Sequence, residues 1–141
     1  MKKTIYAVIF AILGLFPASA EVRIEGSPGG EVDSFLDFFA AVRQSGERVV
    51  IDGPCFSACT LVLGAVPRSR ICVTSRAVLG FHAAKYVDEY GGEYPAPDAT
   101  RVMNAAYPST IRGWIRRHGG LKRVPIFLSG HDLAAMYPRC T

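Results

Sequence analysis

Motifs for bound cofactors are missing from this sequence. It has no G-x-x-x-x-G-K phosphate loop, no EF-hand loop and no zinc pattern. Cys55 and Cys59 are not a C-x-x-C pair and have no histidine near them in sequence, which argues against a zinc site. No cofactor and no metal are expected. Beyond residue 20, no run is long and apolar enough to cross a bilayer. Internal repeats, low-complexity tracts and signs of a second domain are also absent from the 141 residues. Excess charge is small. Lys2 and Lys3 supply two of the four net positive charges, and no acidic residue lies in the first twenty, so +2 remains for the rest. That is no footprint for nucleic acid. The one basic cluster, Arg112, Arg116, Arg117, Lys122 and Arg123, reads as a solvated helix face, with an acidic membrane surface or partner as the alternative.

The first twenty residues stand apart. Lys2-Lys3 is a basic start, Ile5 to Phe16 an apolar run, and Ala18-Ser19-Ala20 a small-residue cleavage site. Together they read as a secretory signal peptide cleaved near Ala20, with an uncleaved membrane anchor as the alternative. Residues 21–141 are then a single mature domain, periplasmic or secreted, that meets the membrane only through export. All four cysteines lie in that part, and an oxidising compartment favours disulfides. Four cysteines allow three connectivities. Cys55 leads into a turn and Cys72 lies on the next strand, its expected sheet neighbour. The preferred pairing is therefore Cys55–Cys72 with Cys59–Cys140. A free Cys55 or Cys59 would be an alternative nucleophile.

Ser57 sits in Gly53-Pro54-Cys55-Phe56-Ser57-Ala58-Cys59, between the apolar strand Val49-Val50-Ile51 and a short apolar helix over 60–65. A serine on such a strand-to-helix turn lies near unpaired N–H groups that can hold an anion. Nucleophile elbows are built this way, although G-x-S-x-G is not present. The competing reading is a helix N-cap, a favoured place for serine. Two other segments bear on the choice. Val22 to Glu25 is a strand running into Ser27-Pro28-Gly29-Gly30, and Ala77 to Phe81 is an apolar run ending in His82. His82 has its own bland reading, a partly buried histidine at a strand end. His118, at a helix end, and His131, in a capping motif, need no catalytic role.

Periodicity supplies the remaining elements. Val32, Phe35, Leu36, Phe39 and Val42 mark the buried face of a helix over 31–45, stopped by Gly46. Strand, helix, strand makes a βαβ unit with parallel strands, repeated through Val49–Asp52, the elbow helix and Arg70–Thr74. Residues 85–97 read as a loop, with a short hairpin at most, whose tyrosines could bind substrate. Asp98 is expected to cap a helix that ends near Tyr107, before Pro108. Ser109 is expected to cap a second helix with Ile111, Trp114 and Ile115 inward. A strand over 124–128 follows, then a capping box, Ser129-Gly130-His131-Asp132, opening a last helix.

The order S-P-G-G, helix, strand, G-x-x-x-S, helix, R-x-C strand and apolar run ending in histidine resembles the Clp protease proteolytic subunit and, more broadly, the ClpP/crotonase superfamily. The resemblance implies an α/β fold: a spiral of ββα and βαβ units around a small, mostly parallel sheet covered by helices. It implies Ser57 as nucleophile, His82 as general base, and the N–H groups of Gly30 and Ala58 as an oxyanion hole. Where the family has leading strands, an exposed sheet edge or a homo-oligomer contact is expected. The third catalytic member is missing. Phe127-Leu128-Ser129 aligns so that Pro125 falls where the family has its aspartate. Asp132, Asp98 and Asp88 are the candidate substitutes, and Lys85 the base of an alternative Ser–Lys arrangement. The expected function is an exported serine hydrolase acting on peptides or proteins. Its rival is an inactive domain of the same build that binds a peptide or partner protein. Acyl-CoA chemistry is a third reading with no visible CoA site.

Overall fold

The structure is a computed structural model that describes residues 20–141. The signal-peptide expectation for residues 1–19 lies outside the described residues. The chain is mixed α/β, with small sheets and five α-helices among the described residues. Strand β1 (Glu21–Ile24) runs through helix α1 (Val32–Ser45) to β2 (Arg48–Ile51), and the two strands pair in parallel. Phe39 and Val42 of α1 are buried, with Val32, Phe35 and Leu36 packed on the core. The helix stops at Gly46, which takes the left-handed conformation (φ 80°) that glycine adopts without penalty.

One expected sheet is in fact two. β4 (Ile71–Val73) joins β2 in parallel and completes a three-stranded sheet in the order β1-β2-β4. Between them the chain leaves this sheet at Gly53, whose missing Cβ would lie 2.0 Å from the Glu25 carbonyl oxygen. It forms β3 (Pro54–Phe56), which pairs in parallel with β5 (Val78–Phe81). β8 (Ile126–Ser129) adds antiparallel to β5. A three-residue strand after a glycine and a proline leaves almost no period-two signal, so the sequence does not announce β3. The core between the sheets and helices includes Ile51, Leu61, Leu79, Phe81, Met103, Tyr107, Ile111 and Leu128.

The split sheet also corrects the disulfides. Cys55 on β3 and Cys72 on β4 belong to different sheets, so the pairing Cys55–Cys72 with Cys59–Cys140 does not form. Instead Cys55 bonds Cys59 across the turn, and Cys72 bonds Cys140, tying the C-terminus to β4. No cysteine is free.

After Ser57 a 3-10 turn (Ser57–Leu61) continues into α2 (Val62–Ala65). Residues 85–95 form a hairpin, β6 (Lys85–Val87) with β7 (Glu93–Pro95). Helix α3 (Pro97–Ala106) has Ala96, not Asp98, at its N-cap; Asp98 instead pairs with Arg101. Helix α4 (Ser109–Arg117) begins after Pro108, Ser109 makes no cap bond, and Ile111, Trp114 and Ile115 are buried as expected. Helix α5 (Gly130–Met136) has Ser129 at its N-cap position without the side-chain bond of a capping box, and Asp132 faces His131 at the surface. No helix among the described residues is long and apolar enough to cross a membrane.

Candidate active site

Ser57 is the one non-glycine residue with positive φ among the described residues, at 54°. Such a conformation costs a non-glycine residue about 1–3 kcal/mol and persists only where its surroundings hold it. Three sets of contacts do so here. Phe56 is kept extended by the pairing of β3 with β5, and its ring lies over Gly80, where a Cβ would come within 2.6 Å of it. The Cys55–Cys59 disulfide spans the turn. Behind it, the Thr60 hydroxyl donates to the Ser57 carbonyl at 2.6 Å. With that proton committed, Thr60 accepts from the Tyr107 hydroxyl, also at 2.6 Å. Burial pushes the Tyr107 phenol up to about 12, although its bond to Thr60 works the other way. Ser57 itself caps nothing: the residue at the N-cap is Phe56, and no side chain bonds there.

The glycine turn reaches this serine through backbone pairing. The Ser27 N–H donates to the Pro54 carbonyl at 2.8 Å, and the Phe56 N–H donates to the Ser27 carbonyl at 3.0 Å. These two bonds lay Gly29 directly on the elbow. A Cβ at Gly29 would sit 2.7 Å from both the Phe56 carbonyl oxygen and the Ser57 Cβ, and 3.1 Å from the Ala58 nitrogen. With φ at 90°, glycine is demanded here by conformation and by space alike. The Gly29 N–H is taken by the Ser27 hydroxyl at 3.2 Å. The Ala58 N–H belongs to the first turn of its helix, where backbone donors have no intrahelical acceptor.

His82 directly follows β5, and the next residues are pinned. The Ala83 N–H donates to the Lys122 carbonyl and the Ala84 N–H to the Thr100 hydroxyl, while the Ala84 carbonyl accepts from Ala96. His82 Nδ1 lies 2.7 Å from the Ala83 carbonyl oxygen. A carbonyl only accepts, so in the neutral ring Nδ1 carries the proton and Nε2 keeps its lone pair, as a general base requires. Ser57, His82, Gly29 and Gly30 line one cleft of about 820 Å³. Its other walls include Val32 of α1, Tyr86 and Val87 of the hairpin, and Ala96, Ala99 and Val102. Among the described residues no hydrogen bond joins Ser57 Oγ to His82.

Among the described residues no carboxylate hydrogen-bonds to His82. Phe81, the residue before His82, pairs with Ile126, and Pro125 comes just before Ile126. The three candidate substitutes are elsewhere. Asp88 closes the hairpin turn, and the N–H groups of Gly92 and Tyr90 hold its carboxyl below the usual range. Asp98 pairs with Arg101 and Asp132 lies by His131, both exposed. Lys85 does line the cleft, but its ammonium is bound by Glu93 and is not presented as a free amine. Glu93 is a residue the sequence reading missed. Lys85 holds its carboxyl below the usual range, first through its hydrogen bond and then through its charge. Of the loop tyrosines, Tyr86 alone lines the cleft. Thr60, Tyr107 and Thr100 were also missed, because nothing local marks a hydroxyl whose partner lies 47 or 16 residues away. No group of His, Cys, Asp or Glu among the described residues is arranged to hold a metal ion.

No family model matches the chain, and no curated protein matches it either. Among solved structures, a ClpP1 point mutant from Listeria monocytogenes is similar at 12% sequence identity and a TM-score of 0.47, over 83% of this chain and 86% of that one. A likeness at that level assigns no residue a role.

Proposed function

We propose that this protein is an exported serine hydrolase of ClpP-like build, acting on a peptide or protein by acyl transfer. One observation carries the reading. A serine held at positive φ, a histidine with Nε2 free and a turn that only glycine can form all border one cleft. Ser57 Oγ attacks the substrate carbonyl carbon while His82 Nε2 takes its proton. Oxygen-centred charge collects beside the N–H groups of Gly30 and Ala58, which serve as the oxyanion hole. The tetrahedral intermediate collapses, the carbonyl re-forms as the C–N bond breaks, and His82 returns the proton to the leaving nitrogen. Water then cleaves the acyl-serine by the same route. In place of a third carboxylate, the Ala83 carbonyl fixes the tautomer of His82. Two disulfides accord with a periplasmic or secreted location.

Pro125, where the resemblance expects an aspartate, favours the rival reading, a domain that keeps the scaffold and binds a peptide or partner without cleaving it. Labelling of the oxidised protein with a fluorophosphonate probe decides between them. The expected result is covalent modification at Ser57 that is lost in Ser57→Ala and His82→Ala. A wild type that stays unlabelled, with its circular dichroism intact, would leave the binding module standing.

A further inference from the structure

We infer that the Cys55–Cys59 disulfide is a positioning device for the reactive serine: it holds Ser57 in its left-handed conformation and does little to brace the whole fold. The inference rests on the hydrolase reading for its consequence, but not for its geometry. The bond encloses five residues with Ser57 at their centre, and it brings the Cα atoms of Cys55 and Cys59 to 5.4 Å. Phe56 enters extended, at φ −115° and ψ 153°. Were Ser57 and its neighbours to relax into the extended backbone that a strand favours, those Cα atoms would move to roughly 13 Å apart, out of disulfide range. Thus the covalent link excludes the simplest escape from the strained conformer. Ala58 lies inside the same small ring, so one constraint sets both the nucleophile and an oxyanion donor.

Loop size separates this role from that of the other disulfide. A crosslink stabilises a fold chiefly by restricting the unfolded chain, and more so as its loop grows. Cys72–Cys140 joins positions 68 residues apart and ties the C-terminus to β4; Cys55–Cys59 joins positions four apart. The short ring therefore restrains little of the unfolded chain and much of the turn. Burial gives the clamp its character. Cys55 and Cys59 are 0% and 1% exposed, so a dithiol reductant has no path to them in the folded protein. The clamp is constitutive and not a redox switch.

The test compares wild type, Cys55→Ala/Cys59→Ala and Cys72→Ala/Cys140→Ala. It uses saturation kinetics with a fluorophosphonate probe, amide exchange over residues 56–61 and thermal melting. Losing the clamp is expected to lower the maximal labelling rate about 100-fold with the probe's apparent affinity unchanged, the scale of one misplaced oxyanion donor. Exchange over 56–61 should quicken while the melting point falls only slightly. Losing Cys72–Cys140 should do the reverse: a large drop in melting point, with labelling and local exchange kept at temperatures where the protein is folded. Wild-type labelling and exchange in Cys55→Ala/Cys59→Ala would overturn the proposal. So would failure of that variant to fold, which would make the bond a global brace. If the wild type itself is never labelled, the hydrolase reading fails and the exchange comparison alone decides the clamp, faster exchange supporting it and unchanged exchange overturning it.

Discussion

The hydroxyls of Thr60 and Tyr107 meet at 2.6 Å in the core, and Thr60 passes the interaction on to the carbonyl of Ser57. This chain of two hydrogen bonds links the end of α3 to the strained serine. Thr60→Val removes the donor to Ser57 and leaves the buried Tyr107 hydroxyl without a partner, a loss of about 1–3 kcal/mol. Thr60→Ser keeps both bonds. The expected outcome is slow fluorophosphonate labelling and a lowered denaturant midpoint for the valine variant, with near wild-type labelling for the serine variant. Equal labelling in all three proteins would detach Thr60 from the site.

Tyr107 makes the same network sensitive to high pH. Its folded pKa is raised from 10.0 to about 12, chiefly by burial. A raised acid favours the protonated form in the folded state. Its stabilising share is therefore complete below pH 10 and is lost as pH climbs from 10 toward 12. Tyr137 is raised to about 12 as well, again by burial, so the wild type should weaken over that interval through both phenols. Tyr107→Phe should cost about 1 kcal/mol near neutral pH, the net worth of one hydrogen bond. It should also flatten the alkaline fall in stability, read as urea midpoints between pH 9 and 12. An unchanged alkaline slope would count against this account.

Gly29 tests the contact between the glycine turn and the elbow. Gly29→Ala places a methyl against the Phe56 carbonyl and the Ser57 Cβ, both held by strand pairing and the disulfide, and forces alanine to φ 90°. Strained backbone and overpacking each cost about 1–3 kcal/mol. Labelling should fall to background before the fold is lost. Gly26→Ala is the control: a Cβ there meets nothing within 4 Å, and such a change should stay within about 0.5 kcal/mol of wild type. Matching behaviour of the two variants in labelling and melting would refute the packing argument.

How much of this could be read from the sequence depended on whether a residue's partner was local. The glycine turn and His82 each follow a short apolar run that announces a strand end, Ser57 lies on the turn beyond Val49-Val50-Ile51, and all three border one cleft. α1 was legible because five apolar residues repeat at helical spacing and glycine stops it. β3 was not, since three residues after Gly53-Pro54 carry too little pattern, and without it Cys55 and Cys72 read as sheet neighbours. Asp98, Ser109 and Ser129 illustrate a different limit. Their side chains suit N-caps, but the chain enters these helices so that none of them makes a cap bond. Thr60–Tyr107 and Glu93 near His82 arise only once distant elements have packed.

Asp52 anchors the base of the elbow and predicts acid behaviour. Its carboxylate accepts hydrogen bonds from Arg76, Thr74 and Arg23, joining the end of β2 to β1 and to the segment after β4. Arg76 first, then Thr74, hold it far below the ordinary carboxylate value of 3.8, against the cost of burial. A depressed folded pKa means the stabilising share is complete above the unfolded value and is lost as pH falls from about 4 toward the folded one. Wild type should therefore weaken steadily below pH 4. Asp52→Asn should be weaker at pH 7 and show a smaller further loss on acidification. Parallel pH curves for the two proteins would show that Asp52 is not the acid-sensitive group.

Pro125 offers a gain-of-function test. It comes just before Ile126, whose ladder partner Phe81 comes just before His82. The position is exposed and precedes the first residue of β8, so replacing proline there disrupts no ladder bond. An aspartate at 125 would compete with the Ala83 carbonyl for the Nδ1 proton of His82 and stabilise the imidazolium that forms as Ser57 is deprotonated. Pro125→Asp should speed fluorophosphonate labelling at least about tenfold, a fraction of what an orienting carboxylate supplies in a complete triad. Pro125→Asn can bond the ring but carries no charge, so it should give less. If aspartate and asparagine leave the rate where proline has it, His82 does not act as the base for Ser57. If both variants speed labelling equally, the gain comes from orientation, and the charge at position 125 adds nothing.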